Sequence, residues 1–356
     1  MTTAYINRIA SAVPPYDVHE TFVDFVKSQL QGDNRKSALF NRMVEKSAID
    51  HRYSCLQPAD GPNGAMDADG HFVRGRFPDT AQRMRLFDMH APVLAARAVD
   101  KLQLGEGRRR ISHLIVACCT GFSAPGLDLE IVERCGLNAS VERTIVGFMG
   151  CYAAMNALKL GRHIVRSEPG AMVLIVNVEL CTLHLKESVD LEEVLSFLLF
   201  ADGCSATLVS AEAEGLALDS FRAVLAPDTQ SLITWNIGKS GFDMVLSGKV
   251  PAAIQQALSH EKDEILAGAR VEDVALWAIH PGGRTVLDAV ERSLGLPPTA
   301  LEASRNVLRR FGNMSSATVM FVLELLMLGD RGERRGCAMA FGPGLVAETM
   351  LFRTGR

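Results

Sequence analysis

The chain has 356 residues, of which 48% are apolar and 22% are charged, and its formal net charge is −4. That is enough apolar material for one large or two medium globular domains, and the small net charge gives no support for binding to nucleic acid or to a membrane surface. The eight cysteines form no CxxC pair, which favours reduced thiols over a disulfide framework. The N-terminal residues show no signal-peptide pattern, and the apolar runs are too short to span a bilayer. We therefore expect a soluble cytoplasmic protein.

The first part of the chain predicts a strand over residues 5–12 and amphipathic helices over 20–31 and 35–46. Residues 57–77 are rich in Gly, Asp and Pro and predict an exposed loop. Within this loop, Asp67-Ala-Asp-Gly70 resembles the start of a calcium-binding loop, but the closing glutamate is missing. We expect a solvated turn and no metal site.

From residue 79 onward, helical and strand patterns alternate, which predicts a layered α/β architecture. We expect helices over residues 79–102, 127–135, 153–166, 251–267, 301–309 and 315–328, with a further helix after Pro281. We expect strands over residues 113–118, 144–146, 171–178, 198–210, 216–225, 231–237, 274–279, 336–341 and 345–352. Two helices open with similar small residues, at 151 and at 315, which hints at an internal duplication. The boundary is placed near residue 212, giving halves 1–212 and 213–356.

Cys151 lies where the strand 144–146, which we expect to be buried, becomes a helix. The unpaired amides and the dipole of a helix N-terminus lower the pKa of a thiol, so a thiolate is expected near neutral pH. Taken alone, Cys151 also fits an inert buried cysteine, since free cysteine is among the most buried residue types.

Two further polar side chains stand at the ends of apolar segments. His280 closes the strand 274–279 and precedes a Pro-Gly-Gly turn, and Asn313 precedes the helix 315–328. In isolation they also fit a hydrogen-bonded core histidine and a helix cap. Together with Cys151 they form a nucleophile, an imidazole and a second hydrogen-bond donor. Such a set can load an acyl group and stabilise an enolate during decarboxylative condensation.

Several motifs, in order and across nearly the whole chain, resemble the type III polyketide synthases, the chalcone and stilbene synthase family with its bacterial alkylpyrone and alkylresorcinol relatives. They are Phe40-Asn-Arg-Met-Val-Glu-Lys-Ser47, Val146-Gly-Phe-Met-Gly-Cys151, Leu199-Phe-Ala-Asp-Gly203, Ile279-His-Pro-Gly-Gly283, Gly312-Asn-Met-Ser-Ser316 and Phe341-Gly-Pro-Gly-Leu345. The resemblance implies the thiolase fold, with five αβαβα layers in each subunit of a homodimer. It also implies coenzyme A thioester substrates, with no metal and no redox cofactor.

The resemblance assigns roles residue by residue. Cys151 is expected to be the acyl-accepting nucleophile, with His280 and Asn313 as its partners. Phe200 matches a gatekeeping phenylalanine, whereas the second gatekeeper position holds Met244. The remaining assignments are the cavity positions Cys119, Glu179, Cys181, His184 and Ser315, and the coenzyme A contacts Arg42, Lys46 and Gly282. Leu39 stands where the family has a further basic residue.

The same resemblance implies the reaction. An acyl starter loads on Cys151, malonyl-CoA decarboxylates beside His280 and Asn313, and the extended chain cyclises. Residues 178–184 are similar to bacterial enzymes that accept long acyl chains, which favours a medium- or long-chain starter and an alkylpyrone or alkylresorcinol product. An aromatic or short starter, an acyl-carrier protein as donor, an initiating ketoacyl-carrier-protein synthase and a catalytically silent dimer scaffold remain alternatives. Glu179 fits a cavity acid and a buried structural carboxylate equally well.

Overall fold

The computed structural model describes residues 2–59, 64–329 and 332–355. The strands are β1 Tyr5–Ala12, β2 Tyr16–Asp17, β3 Tyr53–Ser54, β4 His113–Cys118, β5 Glu142–Gly147, β6 Val173–Leu180, β7 Asp202–Ser210, β8 Leu216–Leu225, β9 Ile233–Gly238, β10 Gly241–Leu246, β11 Leu276–Ile279, β12 Arg335–Phe341 and β13 Val346–Thr354. The helices are α1 His19–Gln29, α2 Asn34–Ser47, α3 Thr80–Lys101, α4 Leu127–Cys135, α5 Ala153–Ser167, α6 Leu191–Leu199, α7 Val250–Ile265, α8 Arg284–Leu294, α9 Glu302–Phe311 and α10 Thr318–Gly329.

Two halves with the same strand topology share one nine-stranded sheet, in the order β5-β4-β6-β7-β1-β8-β13-β12-β11. In the first half β4 and β6 are parallel, and β6, β7 and β1 pair antiparallel in turn. In the second half β11 and β12 are parallel, and β12, β13 and β8 repeat the antiparallel pattern. The halves join where Tyr5 pairs with Ala217 and Ile6 with Leu216. This repeat supports the duplication suggested by the two helix openings.

Helices cover both faces of each half-sheet. Helix α3 packs on β1, β6 and β7, while α7 packs on β8 and β13 and also contacts α8. Between the halves, α5 contacts β4 and β6 on one side and β8 and β13 on the other, and α10 contacts β1, β7, β11 and β12. The layers therefore follow the αβαβα order of the expected thiolase fold. Because both of their faces are covered, β4, β6 and β7 are buried along their whole length.

Two elements that line the site differ from the sequence prediction. Residues 198 and 199, expected to begin a strand, end α6, whose N-terminus is capped by Asp190 accepting from the N–H groups of Glu192 and Glu193. The Asp-x-x-Glu spacing before an apolar run was the signal for this helix. Strand β9 also pairs with β10 in a hairpin, and Gly238 and Gly241 mark its turn.

The prediction of a buried strand before Cys151 was wrong. Residues 142–145 of β5 are exposed, because β5 is the edge strand and, among the described residues, pairs with β4 alone. Ile145 leaves 46% of its surface uncovered.

The loop over 57–77 is less exposed than expected; residues 60–63 lie outside the described residues. Phe72 is fully buried, and the buried Asp67 carboxylate accepts hydrogen bonds from the backbone N–H groups of His71 and Phe72. Among the described residues, no helix has both the length and the apolarity required to cross a bilayer.

Candidate active site

Two connected cavities meet at Cys151. The outer cavity has a volume of about 540 Å³ and is bordered by Cys151, His280 and Asn313. The inner cavity offers only about 50 Å³ and is also bordered by Cys151. Four residues border both cavities: Cys151, Phe200, Ile233 and Met244. The structure thus brings the three expected catalytic side chains to one space, although they are up to 162 positions apart in sequence.

A tight turn carries Cys151 from β5 into α5. Phe148 and Gly150 adopt positive φ angles of 54° and 71°, and a 3₁₀ turn over Gly150–Tyr152 precedes the helix. A Cβ atom at position 150 would lie 2.2 Å from Cδ of Pro343, so glycine is required there. The turn places the thiol at the helix N-terminus, as the sequence predicts.

The expected low pKa of this thiol is not found for the isolated group. Burial raises the pKa of Cys151 to about 12, and the nearby Glu179 adds to the increase, while hydrogen bonds to Ser315 and Asn313 oppose it. The prediction from the helix N-terminus was therefore wrong, because the cost of removing the thiolate from water exceeds the effect of the hydrogen bonds that favour it.

His280 stands at the end of β11, where its backbone N–H donates to the carbonyl of Met339. The side chain is buried, and within the described part of the chain neither ring nitrogen has a hydrogen-bond partner. Burial lowers the pKa of His280 to about 3. The opposite shifts of Cys151 and His280 have one cause, the desolvation of a lone charge.

Asn313 is held in a single orientation. Its Nδ2 donates to the carbonyl of Gly282 at 3.2 Å, and its Oδ1 accepts from the N–H of Ser315 at 2.9 Å. Gly282 accepts from Nδ2, and Asn313 also hydrogen-bonds to Cys151, so this side chain presents its amide next to the nucleophile on the wall of the outer cavity.

Four of the expected cavity residues, Cys119, Cys181, His184 and Ser315, border the inner cavity. Sγ of Cys119 accepts the N–H of Gly150 at 3.0 Å, which anchors the turn before Cys151. His184 uses both ring nitrogens, with Nε2 bonded to the carbonyl of Thr120 and Nδ1 accepting from the N–H of Phe242. These two hydrogen bonds hold the β9–β10 hairpin, through Phe242, next to Thr120, which borders the inner cavity.

Glu179 lies behind the inner cavity and is fully buried. Its carboxylate accepts hydrogen bonds from the N–H of Cys119 at 3.0 Å, from Thr120 Oγ1 at 2.9 Å and from Ser316 Oγ at 2.5 Å. Burial raises its pKa to about 7, although these hydrogen bonds act in the opposite direction. The contacts favour the structural reading of this residue, since the carboxylate ties together two segments that border the site.

This carboxyl should make stability depend on pH. Its pKa is about 7 in the folded chain and 4.5 ordinarily, so the folded state binds its proton more tightly than the unfolded state. The contribution of this proton to the free energy of unfolding is therefore complete below pH 4.5 and is lost as pH rises through 7. We expect the free energy of unfolding to fall by about 3 kcal/mol over this window through Glu179. The measurement is denaturant unfolding at several pH values. The difference between wild type and Glu179→Gln isolates this group, and identical pH profiles for the two proteins would contradict it.

Phe200 and Met244, which both border the two cavities, are together called the constriction. Phe200 follows α6 directly, and Met244 lies in β10 opposite Trp235 of β9. Trp235 borders the inner cavity and donates from Nε1 to the carbonyl of Cys119 at 2.8 Å. Sequence reasoning missed Trp235, because its role depends on the hairpin pairing.

The outer cavity opens beside basic side chains. Arg42 and Lys46, one turn apart on α2, border it together with Leu39 and Gly282. Arg284, the first residue of α8, borders the same cavity and was missed by sequence reasoning. Its position directly after the His-Pro-Gly-Gly motif was the available signal. Within the described part of the chain, no side chain caps the helix N-terminus at Gly283, so its amides add to a surface suited to phosphates.

Comparison with known proteins decides the family. Residues 3–213 match the family model of the chalcone and stilbene synthase N-terminal domain, and residues 217–355 match that of the C-terminal domain. The chain belongs to the chalcone and stilbene synthase family. It is a type III polyketide synthase, a condensing acyltransferase.

Relatives and solved structures agree with this assignment. The chain is 33% identical to the alpha-pyrone synthesis polyketide synthase-like Pks18 of Mycobacterium tuberculosis, in an alignment that covers 99% of this chain and 91% of the relative. The crystal structure of PKS-I from the brown alga Ectocarpus siliculosus is 30% identical, with a TM-score of 0.88 and 99% of each chain covered. A CsyB mutant complexed with CoA-SH is 21% identical, with a TM-score of 0.86 and coverage of 99% of this chain and 100% of that chain, which shows the shared fold.

Proposed function

We propose that this synthase loads an aliphatic acyl group from a coenzyme A thioester onto Cys151, extends it with malonyl-CoA and releases an alkyl α-pyrone. The observation that carries the proposal is the convergence of Cys151, His280 and Asn313 on one cavity with a basic rim. The alpha-pyrone synthesis named for the Mycobacterium relative supports this product class over a resorcinol.

Each side chain has a defined task in this reaction. The Cys151 thiol transfers its proton to His280, and the thiolate attacks the starter thioester and releases coenzyme A. Malonyl-CoA then binds with its thioester oxygen near His280 and the side-chain amide of Asn313, which lies next to Cys151. These donors stabilise the enolate that forms when carbon dioxide leaves. The enolate carbon attacks the acyl carbonyl, the bond from that carbonyl to Cys151 breaks, and the leaving thiolate of Cys151 is regenerated while the extended β-ketoacyl chain stays on coenzyme A. This chain is transferred back to Cys151, with release of coenzyme A, for the next extension. Loss of carbon dioxide drives the condensation, so the proposal needs no metal or redox cofactor.

Starter length depends on the inner cavity. Its volume of about 50 Å³ corresponds to a few water molecules, at roughly 10–15 Å³ each on this measure. A short acyl chain fits without rearrangement, whereas the medium or long chain favoured by the sequence must displace apolar side chains such as Phe197 and Leu185. We propose that these two residues limit chain length.

Product analysis with a starter series from acetyl to stearoyl, plus coumaroyl and benzoyl, tests this function. We expect triketide or tetraketide pyrones from aliphatic starters. Phe197→Ala should raise kcat/KM for the longer aliphatic starters, because the larger cavity buries more of the acyl chain. Each newly buried methylene contributes about 0.8 kcal/mol, so two methylenes should raise kcat/KM about tenfold. Phe25→Ala is the matched control, since Phe25 borders neither cavity. Products from aromatic starters alone would overturn the aliphatic assignment, and no product from any starter would favour a carrier-protein donor or a silent scaffold.

The outer rim is proposed to bind the coenzyme A phosphates through Arg42, Lys46 and Arg284. Since Leu39 provides no charge, Arg284 supplies the third cation. Arg284→Ala should raise KM for malonyl-CoA about fivefold, the effect of losing roughly 1 kcal/mol of partly exposed charge, and leave kcat unchanged. Arg292→Ala, at the other end of α8, is the control. An equal rise in KM for both variants would contradict a specific role for Arg284.

The synthase is further proposed to be a cytoplasmic homodimer. Phe122, Leu129 and Ile145 are apolar and are between 38% and 46% exposed near the edge strand β5. The Phe122 ring lies against Gly147, and the Ile145 side chain lies against Gly126. Such a patch is suited to burial against a second copy. All eight cysteines are free thiols, which suits a reducing compartment.

A further inference from the structure

The backbones that carry Phe200 and Asn313 are bonded directly to one another. The N–H of Asn313 donates to the carbonyl of Leu199 at 2.8 Å, and the N–H of Ala201 donates to the carbonyl of Asn313 at 2.9 Å. One junction, defined here as residues 199–201 and 312–313, therefore positions both the constriction and the oxyanion donor. Whatever holds this junction in place acts on both.

A fully buried arginine holds the junction from behind. Nη1 of Arg52 donates to the carbonyl of Phe200 at 3.1 Å and also to the carbonyl of Phe197, at the C-terminus of α6. These carbonyls carry the negative end of the helix dipole, so a guanidinium is a strong partner for them. The stem of Arg52 packs on Gly312, where an added Cβ would lie 2.9 Å from Arg52 Cγ and from the carbonyl of Leu199.

Arg52 is itself fixed by α1 and the segment before it. Its Nε donates to Nδ1 of His19 at 2.9 Å, its guanidinium lies 5.5 Å from the centre of the Phe22 ring, and its backbone N–H donates to Asp17. Burial lowers the pKa of Arg52 to about 9. A charge in so dry a place opposes folding unless its contacts compensate for the lost hydration.

We propose that Arg52 is a positioning residue that fixes Asn313 and Phe200 together, and so sets both the rate of malonyl decarboxylation and the size of the polyketide. This inference rests on the proposed function, because it concerns the oxyanion donor of that reaction. Arg52 does not border either cavity, so it acts through the junction and not by touching substrate.

Arg83 offers a matched control. It is also fully buried, and its guanidinium donates to the carbonyls of Pro78, Leu183 and Leu185 and lies 5.0 Å from the centre of the Phe72 ring. Its carbonyl partners lie outside the junction. Lysine at either position keeps the charge but cannot reproduce the planar fork.

The test compares Arg52→Lys with Arg83→Lys in thermal unfolding and malonyl-CoA decarboxylation. Product chain length is compared between Arg52→Lys and wild type, because Arg83 bonds to Leu185, which is itself proposed to limit chain length. Both variants should lose similar stability. Only Arg52→Lys should slow decarboxylation, by about tenfold, a fraction of the roughly 10²–10³-fold effect of losing an oxyanion donor outright. It should also change the ratio of triketide to tetraketide. Equal decarboxylation rates for the two variants would overturn the inference.

A double-mutant comparison separates positioning from general destabilisation. In an Asn313→Ala background, Arg52→Lys should change decarboxylation less than twofold, because the group through which it acts is absent. The same tenfold loss in both backgrounds would overturn the inference. If Arg52→Lys does not fold, His19→Ala, which removes the Nε acceptor, should slow decarboxylation about threefold, and an unchanged rate would count against Arg52. A wild-type protein that forms no polyketide from any starter would overturn the proposed function itself, and this inference with it.

Discussion

Replacing Cys151 with alanine should abolish polyketide formation, with a loss of at least about 10⁴-fold, comparable to the removal of a nucleophile from other enzymes that form acyl intermediates. No other side chain among the residues bordering the outer cavity is a thiol. The measurement is mass spectrometry of products, together with the intact mass of the protein after incubation with a starter thioester. Wild type should gain the mass of one acyl group, and the variant should gain none.

Cys337→Ala is the matched control, since Cys337 is a free cysteine buried in β12 that borders neither cavity. It should retain product formation and acyl loading. Wild-type product yield from Cys151→Ala would refute the assignment of the nucleophile, whatever the outcome for the other cysteines.

Replacing Asn313 with alanine should slow malonyl-CoA decarboxylation by roughly 10²–10³-fold, because it removes one oriented donor to the developing enolate oxygen. Acylation of Cys151 by the starter should fall much less, since the thiolate and His280 remain. The measurement is carbon dioxide release in single turnovers, alongside the rate of acyl loading followed by intact mass.

Asn306→Ala provides the control for this experiment, because Asn306 lies on α9, seven residues before Asn313, and borders neither cavity at the site. It should decarboxylate at the wild-type rate. If Asn313→Ala slowed loading and decarboxylation equally, Asn313 would be needed for the shape of the cavity and not for the enolate.

The sequence by itself determined the family, the fold class and most of the regular elements. The structure has β4, α4 and β8 at the positions expected from the sequence, because apolar periodicity and flanking turn residues are local signals. Motifs around Cys151, His280 and Asn313 were readable for the same reason, since each is a short run whose neighbours carry the pattern. The helix α6 and the β9–β10 hairpin had comparable local signals in Asp190 and in the glycines of the turn.

Other properties were decided only by the tertiary structure. The packing of the chain leaves β5 as an exposed edge strand and places Glu179 behind the wall of the inner cavity. It also brings Arg284 to the border of the outer cavity, where Leu39 provides no charge. It also reversed the expected direction of the Cys151 pKa shift, because a helix N-terminus can be read from sequence but the removal of water cannot. Desolvation and cavity volume depend on segments that are distant in the chain and pack against one another. For that reason the chemistry could be read from residue types, while the protonation and size of the site required the fold.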